Sequence, residues 1–207
     1  TQLQSSAASD VYKRQGVDVS TQGQKIVIID LEKRSVIYSD SINYDIDLPK
    51  YNTLNGVLKD TDFGVSESNP NMWIDSLHLL FERLKTSSDI IQSIKAISIA
   101  GQQHGLVAID KDGNLAKSTS KLWNDFSTAE ECEILTKEIG GSEQMITEVA
   151  NSQRTGYTAS KIFHMYRNER ELYDKTDHFL LVHNYINWYL TGGKIAMEEG
   201  DASGTGI

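Results

Sequence analysis

Little in this chain invites covalent cross-linking, metal clustering or membrane insertion. Its 207 residues hold one cysteine, Cys132. That excludes an intrachain disulfide and any zinc site built on cysteine pairs. Only two prolines occur, and no run approaches the ~18 consecutive apolar residues of a membrane-spanning helix. Lys and Arg total 20 against 29 Asp and Glu, a net charge of −9, and no basic cluster offers a face to a nucleic-acid strand. The expected partners are small molecules, with no nucleic acid and no membrane, and the sparse cysteine suits a reducing, cytoplasmic setting. What is present is ordinary globular material, 39% apolar and 24% charged, enough for one substantial domain.

The two ends differ from the middle. "TQLQSSAASDVYKRQ" (1–15) is polar, has no period and lacks the apolar centre of a secretory signal. It reads as a foreign-looking tail, or as a genuine disordered extension, and the domain is expected to occupy 16–207. At the far end "EEGDASGTGI" stops in a Gly-rich stretch with no closing element. The expectation is a domain truncated before its end, with a C-terminal domain absent.

From Gly16, "GVDVS" (16–20), "QKIVIIDL" (24–31) and "SVIYSDSINYDI" (35–46) form three strand-like runs separated by short polar turns. They predict an antiparallel meander, with the second run buried on both faces. "NPNMWIDSLHLLFERLKTSS" opens a helix at Pro70, with Trp73, Leu77, Leu80, Phe81 and Leu84 at helical spacing. Strands follow at "IKAISIA" (94–100) and "GLVAID" (105–110), then a short one within "KLWND" (121–125). "STAEECEILTKEI" (127–139) begins with a capping-box pattern, Ser127 and Glu130. Helices are expected near 142–149, 158–175 with a break near 168, and 183–190, with "HFLLV" (178–182) as a candidate strand. The order departs from strict βαβ alternation and matches an α/β domain of the ribonuclease H-like, actin-like ATPase class. That class implies a mixed sheet opening with a three-strand meander and carrying helices on both faces.

Two stretches carry candidate chemistry. In "GVDVSTQGQK" (16–25) Asp18 precedes a hairpin of small polar residues. Such a turn exposes backbone N–H groups suited to phosphate oxygens, and a nearby carboxylate suits a hard cation; a plain surface hairpin remains open. In "GQQHG" (101–105) two glycines let the backbone turn at a strand end while Gln102, Gln103 and His104 present donors and acceptors. That set suits sugar hydroxyls, with His104 as a simple backbone cap the alternative. Trp123 offers either an aromatic wall or core packing. Asp125 offers either an acceptor or a turn former. His78, His178 and His183 read as structural: the last two stand five apart with no evident third metal ligand. Lys161 reads as a structural or surface residue early in a helix.

"GVDVSTQGQKIVIID", "SIAGQQHGLVAID", "LWNDFSTAEEC", "GYTASKI" and "DASGT" occur in one order, and together they resemble the N-terminal domain of FGGY carbohydrate kinases, xylulokinases in particular. "YDIDLPKYNTLNGV" resembles an insertion found in the eukaryotic type. The resemblance covers 16–207 and implies transfer of the ATP γ-phosphoryl to a hydroxyl of a ketose or polyol, D-xylulose foremost. It implies Asp18 near Mg and the transferred phosphate, with Thr21, Gln22 and Gly23 as the phosphate-facing hairpin. It implies His104, Gln103, Trp123, Asp125 and Arg154 around the sugar, with Tyr157 a rival to Arg154, whose placement needs a one-residue shift. Asp201, in "GDASGT", is a lesser candidate in a structural glycine turn. The catalytic base of such kinases is an aspartate in a "GGGDNA"-like turn that this sequence lacks. An inactive fragment is therefore expected. A non-catalytic sugar-binding module and a kinase for another ketose or polyol remain alternatives.

Overall fold

The computed structural model describes residues 13–87 and 89–206; residues 1–12 of the foreign-looking tail lie outside the described residues. β1 (Lys13–Val19), β2 (Gly23–Asp30) and β3 (Ser35–Asn43) make the antiparallel meander. β4 (Ile94–Gly101) then lies parallel to β1, so the sheet is mixed, in the order β3-β2-β1-β4. β1 starts three residues earlier than polarity suggests. Lys13, Arg14 and Gln15 pair with Asp30, Ile29 and Ile28, because β2 runs on and its backbone groups need partners.

Burial along β1 and β2 alternates residue by residue. Val17, Val19, Ile26 and Ile28 enter the core. α1 (Pro70–Ser87) covers them with Met72, Trp73, Leu77, Leu80 and Leu84, all at 0% exposure. Each such buried side chain contributes about 1.5–3 kcal/mol. Among the described residues the opposite face is open: Arg14, Gly16, Asp18 and Lys25 are exposed there. Ile29 joins them at 38%. The expectation of a second strand buried on both faces is corrected: Lys25 and Ile29 of β2 are exposed. The period-two alternation places Arg14, Gly16, Asp18 and Lys25 together on the uncovered side, while Gln15, Gln24 and Asp30 are buried on the other.

The rest forms a second layer. β5 (Val107–Ile109) pairs with β6 (His178–Leu180) and does not join the main sheet. Of the expected 121–125 strand region only Lys121 pairs, as part of a two-residue strand, Ser120–Lys121, set against Glu67–Ser68. α2 (Ala129–Glu138), α3 (Ser142–Val149), α4 (Thr158–Asn168) and α5 (Arg170–Lys175) follow, with the expected break at Glu169. α6 (Val182–Leu190) returns to pack on β4 and α1. α7 (Glu199–Gly204), capped by Glu198, replaces the glycine turn expected at Gly200. The capping box of α2 does not form: the Ser127 hydroxyl donates to Asp125, which outcompetes the helix N-terminus for it.

Candidate functional site

β1 and β4 end side by side, and the Gln102 amide extends their ladder by donating to Val19 O at 2.9 Å. Both candidate stretches leave from this point, the carboxyl end of a parallel pair, where open α/β sheets bind ligands. On one side Ser20 N donates to Gly23 O at 3.0 Å and closes the hairpin. Tyr44 N donates to Gln22 O at 3.1 Å. Asp18 is exposed and accepts the Ser20 hydroxyl at 2.8 Å. Asp45 anchors the 53–58 segment next door, accepting from Thr53 Oγ1, Asn55 N and Gly56 N. Burial works to raise its carboxyl, but those bonds outweigh it and hold it below the usual range.

On the other side His104 carries the left-handed conformation, with φ 61°, at a cost of about 1 kcal/mol or more. The flanking glycines serve another purpose than the sharp turn expected of them. A Cβ at Gly101 would press on the His183 backbone, and one at Gly105 would strike Val182, so both admit α6. The His104 ring stacks on Tyr157 with centroids 4.5 Å apart. Burial first, and the Lys161 cation second, push the His104 imidazole below its ordinary pKa, so it is neutral at pH 7. Gly156, at φ +87°, brings the 154–157 loop against the Trp123 backbone, where a Cβ would collide.

Between them lies a cleft of about 460 Å³ lined by Gln102, Gln103, His104, Trp123, Thr155 and Tyr157. The lining is neutral and mixes amides, imidazole, hydroxyls and two aromatic faces. Trp123 is 53% exposed. Its indole N–H donates to Thr21 Oγ1 at 3.0 Å, and that hydroxyl donates to Gln102 Oε1 at 3.2 Å. Thr21 therefore ties the hairpin to the cleft wall. The side-chain nitrogen of Gln102, Nε2, is buried without a hydrogen-bond partner, although Gln102 lines the cleft.

Asp125 does not face this cleft. It is 0% exposed and accepts from Ser66 N at 2.8 Å, Ser127 N at 3.1 Å and Ser127 Oγ at 2.6 Å. It also ends a ladder of alternating charge, Glu169–Lys117–Glu67–Lys121–Asp125, with contacts of 2.6, 3.3, 3.5 and 3.5 Å. Burial works to raise the Glu67 carboxyl, but Lys117, a Thr119 hydroxyl and Lys121 outweigh it and lower it. The ladder fixes the turn that presents Trp123, which makes Asp125 a support residue. Arg154 is exposed, bonded to Ser152 Oγ at 3.1 Å, and Tyr157 takes the place beside His104. Lys161 is a support residue too, but a fully buried one.

The remaining four histidines pair with neighbours: His78 with Tyr189, His164 with Asn168 and Glu131, His178 with Asp177 and His183 with Asp201. Sequence patterns give no signal for Thr155, which lines the cleft beside Gln102, Gln103 and His104. The positive-φ Gly156 and the buried Lys161 after it are the signals that bring 154–157 to the cleft.

Comparison with known proteins places this arrangement. The model for the N-terminal domain of the FGGY family of carbohydrate kinases matches residues 14–207. A xylulose kinase of Haemophilus influenzae is 34% identical over 197 residues, covering 92% of this chain and 37% of its own. One from Schizosaccharomyces pombe is 33% identical over 211 residues, covering 93% and 37%. Among solved structures, a xyloylose kinase from Brucella ovis superposes with a TM-score of 0.79 at 25% identity, over 94% of this chain and 37% of that one. The chain thus spans little more than a third of the length of these relatives.

Proposed function

Because the chain belongs to the FGGY family of carbohydrate kinases and has their actin-like α/β fold, we propose that it is the sugar-facing portion of an ATP-dependent kinase for a ketopentose, with D-xylulose the substrate and D-xylulose 5-phosphate the product. The observation that carries the reading is the neutral cleft of Gln102, Gln103, His104, Trp123, Thr155 and Tyr157. An uncharged polyhydroxylated ligand needs groups that donate and accept, plus an aromatic face, and has no use for fixed charge. Neutral His104 meets that need, and the unpartnered side-chain Nε2 of Gln102 supplies a donor for an acceptor oxygen. The relatives' names select the ketopentose.

The residues present fit Mg·ATP on the hairpin side. Asp18 is an exposed carboxylate with one hydroxyl partner, and Mg²⁺ keeps most of its shell as water and phosphate oxygen, so one protein oxygen suffices. Gln22 and Gly23 would flank the phosphates. Thr21 would do so while holding Trp123 and Gln102. Bound there, Mg·ATP supplies the phosphoryl group and neutralises its charge. No carboxylate lines the cleft, so the general base that takes the sugar hydroxyl proton comes from outside these residues. No helix among the described residues is long and apolar enough to cross a membrane.

The test is a coupled ADP-release assay on a full-length enzyme carrying this domain. D-xylulose should drive turnover, and His104→Ala should lose most of it. Turnover on glycerol with none on D-xylulose would overturn the substrate. Sugar binding with no turnover on any ketose or polyol would favour a non-catalytic module.

A further inference from the structure

We propose that Lys161 is a positioning residue of the cleft: its ammonium clamps two loop carbonyls, those of His104 and Gly156, and so fixes the stacked His104–Tyr157 pair. The inference rests on the sugar reading of the cleft given above. Lys161 Nζ donates to Gly156 O at 2.6 Å and to His104 O at 2.5 Å. The residues it joins are 52 apart in sequence and belong to different loops, one after β4 and one before α4. His104 is held at a positive φ of 61°, which a residue with a Cβ seldom adopts, whereas Gly156 takes +87° without strain. A bond from outside to the His104 carbonyl holds the strained turn in place.

The position is otherwise a poor one for a lysine. Lys161 lies in the first turn of α4, where the helix dipole disfavours a cation. It is 0% exposed. Burial, the largest effect, and nearby Lys121 push its ammonium down while Asp125 pushes it up, leaving it at about 7. The charged and titratable groups around it are Asp125 and Lys121 from the 120–125 segment, His104 from the turn after β4, and Tyr157 from the loop before α4. A side chain kept against burial and dipole is explained by the two carbonyls it satisfies.

The test is NMR on the chain itself, following the Lys161 Cε resonance and the His104 and Tyr157 ring signals across pH, with D-xylulose binding as a second arm. In the unmodified protein Lys161 should titrate far below the ordinary lysine range, with both ring signals shifting at the same midpoint. In Lys161→Met the upfield ring-current shift of His104 should vanish, its midpoint should move back towards that of a free histidine, and D-xylulose should bind roughly tenfold more weakly or worse. Lys161→Arg, which keeps the donors, should restore part of the His104 signature. Unchanged ring signals in Lys161→Met overturn the clamp. If that variant does not fold, an ordinary lysine midpoint with indifferent ring signals in the unmodified protein overturns it. Loss of the His104 signature with no D-xylulose bound by either form leaves the clamp standing and overturns the sugar reading instead.

Discussion

The hairpin at 20–23 and the turn at 101–105 leave neighbouring ends of one parallel strand pair, yet they are held in different ways. The hairpin is closed by local bonds, with Ser20 bonded to Gly23 and to Asp18 and Asp18 itself exposed; its distant ties are the uncharged ones of Thr21 to Trp123 and Gln102 and of Gln22 to Tyr44. The turn is held from a distance. His104 depends on Tyr157 and Lys161, and Trp123 depends on a buried charge ladder reaching to Glu169. On the proposed reading the exposed charge of the hairpin can rearrange for a nucleotide at little cost in fold stability, whereas a wall that orients a sugar has to be rigid. Rigidity at the turn comes from buried charges that bond only in one arrangement.

The largest effect expected from this contrast is at Asp125. Asp125→Ala leaves Lys121 buried with its pairing reduced and the Ser66 amide without its acceptor, and should cost about 3–5 kcal/mol in denaturant unfolding. A loss below ~1 kcal/mol would mean the ladder is not what supports the wall. Next is pH. Lys161 titrates near 7 folded and near 10.4 unfolded. Between those values the unfolded chain holds the extra proton, so stability rises with pH from about 7 to 9, by up to ~1.4 kcal/mol per unit. It is lost as pH falls through that window, and Lys161→Met should flatten the slope. Smaller still is His104→Gly. Relief of the left-handed strain offsets the lost Tyr157 stack, so stability should change by less than ~1 kcal/mol while calorimetry shows weakened D-xylulose binding. Smallest is Asp18→Asn, within ~0.5 kcal/mol of unchanged stability. In a full-length enzyme it should nonetheless depress ADP release, which separates a working hairpin from a plain surface one.

Legibility follows the same division. The meander, α1 and the break at Glu169 were readable because each depends on neighbouring residues: period-two strands, a 3.6-residue apolar stripe, and a short polar stretch at 168–169. Asp18 and His104 could be picked out, since small polar turns at strand ends are local patterns. Asp125 was misjudged because its partners, Ser66 and Lys121, are identified only by folding. Lys161 reads equally as structural or surface from sequence, because a lysine near a helix start ordinarily faces solvent and only folding shows that it is buried. The open sheet face escaped notice because an apolar run such as "IVIID" looks the same whether one face or two are covered.

The sequence by itself determined the three-strand meander, α1 and the donor and acceptor groups of the 101–105 turn, because those depend on side-chain chemistry and on backbone preferences a few residues long. Tertiary structure alone decided which groups do meet. It set His104 in a left-handed turn, brought Tyr157 over it from 53 residues away and drew Asp125 out of the cleft into a charge ladder. It also drove Lys161 under two loops. Those outcomes turn on burial and on pairing across distance, and neither is written in the order of neighbouring residues.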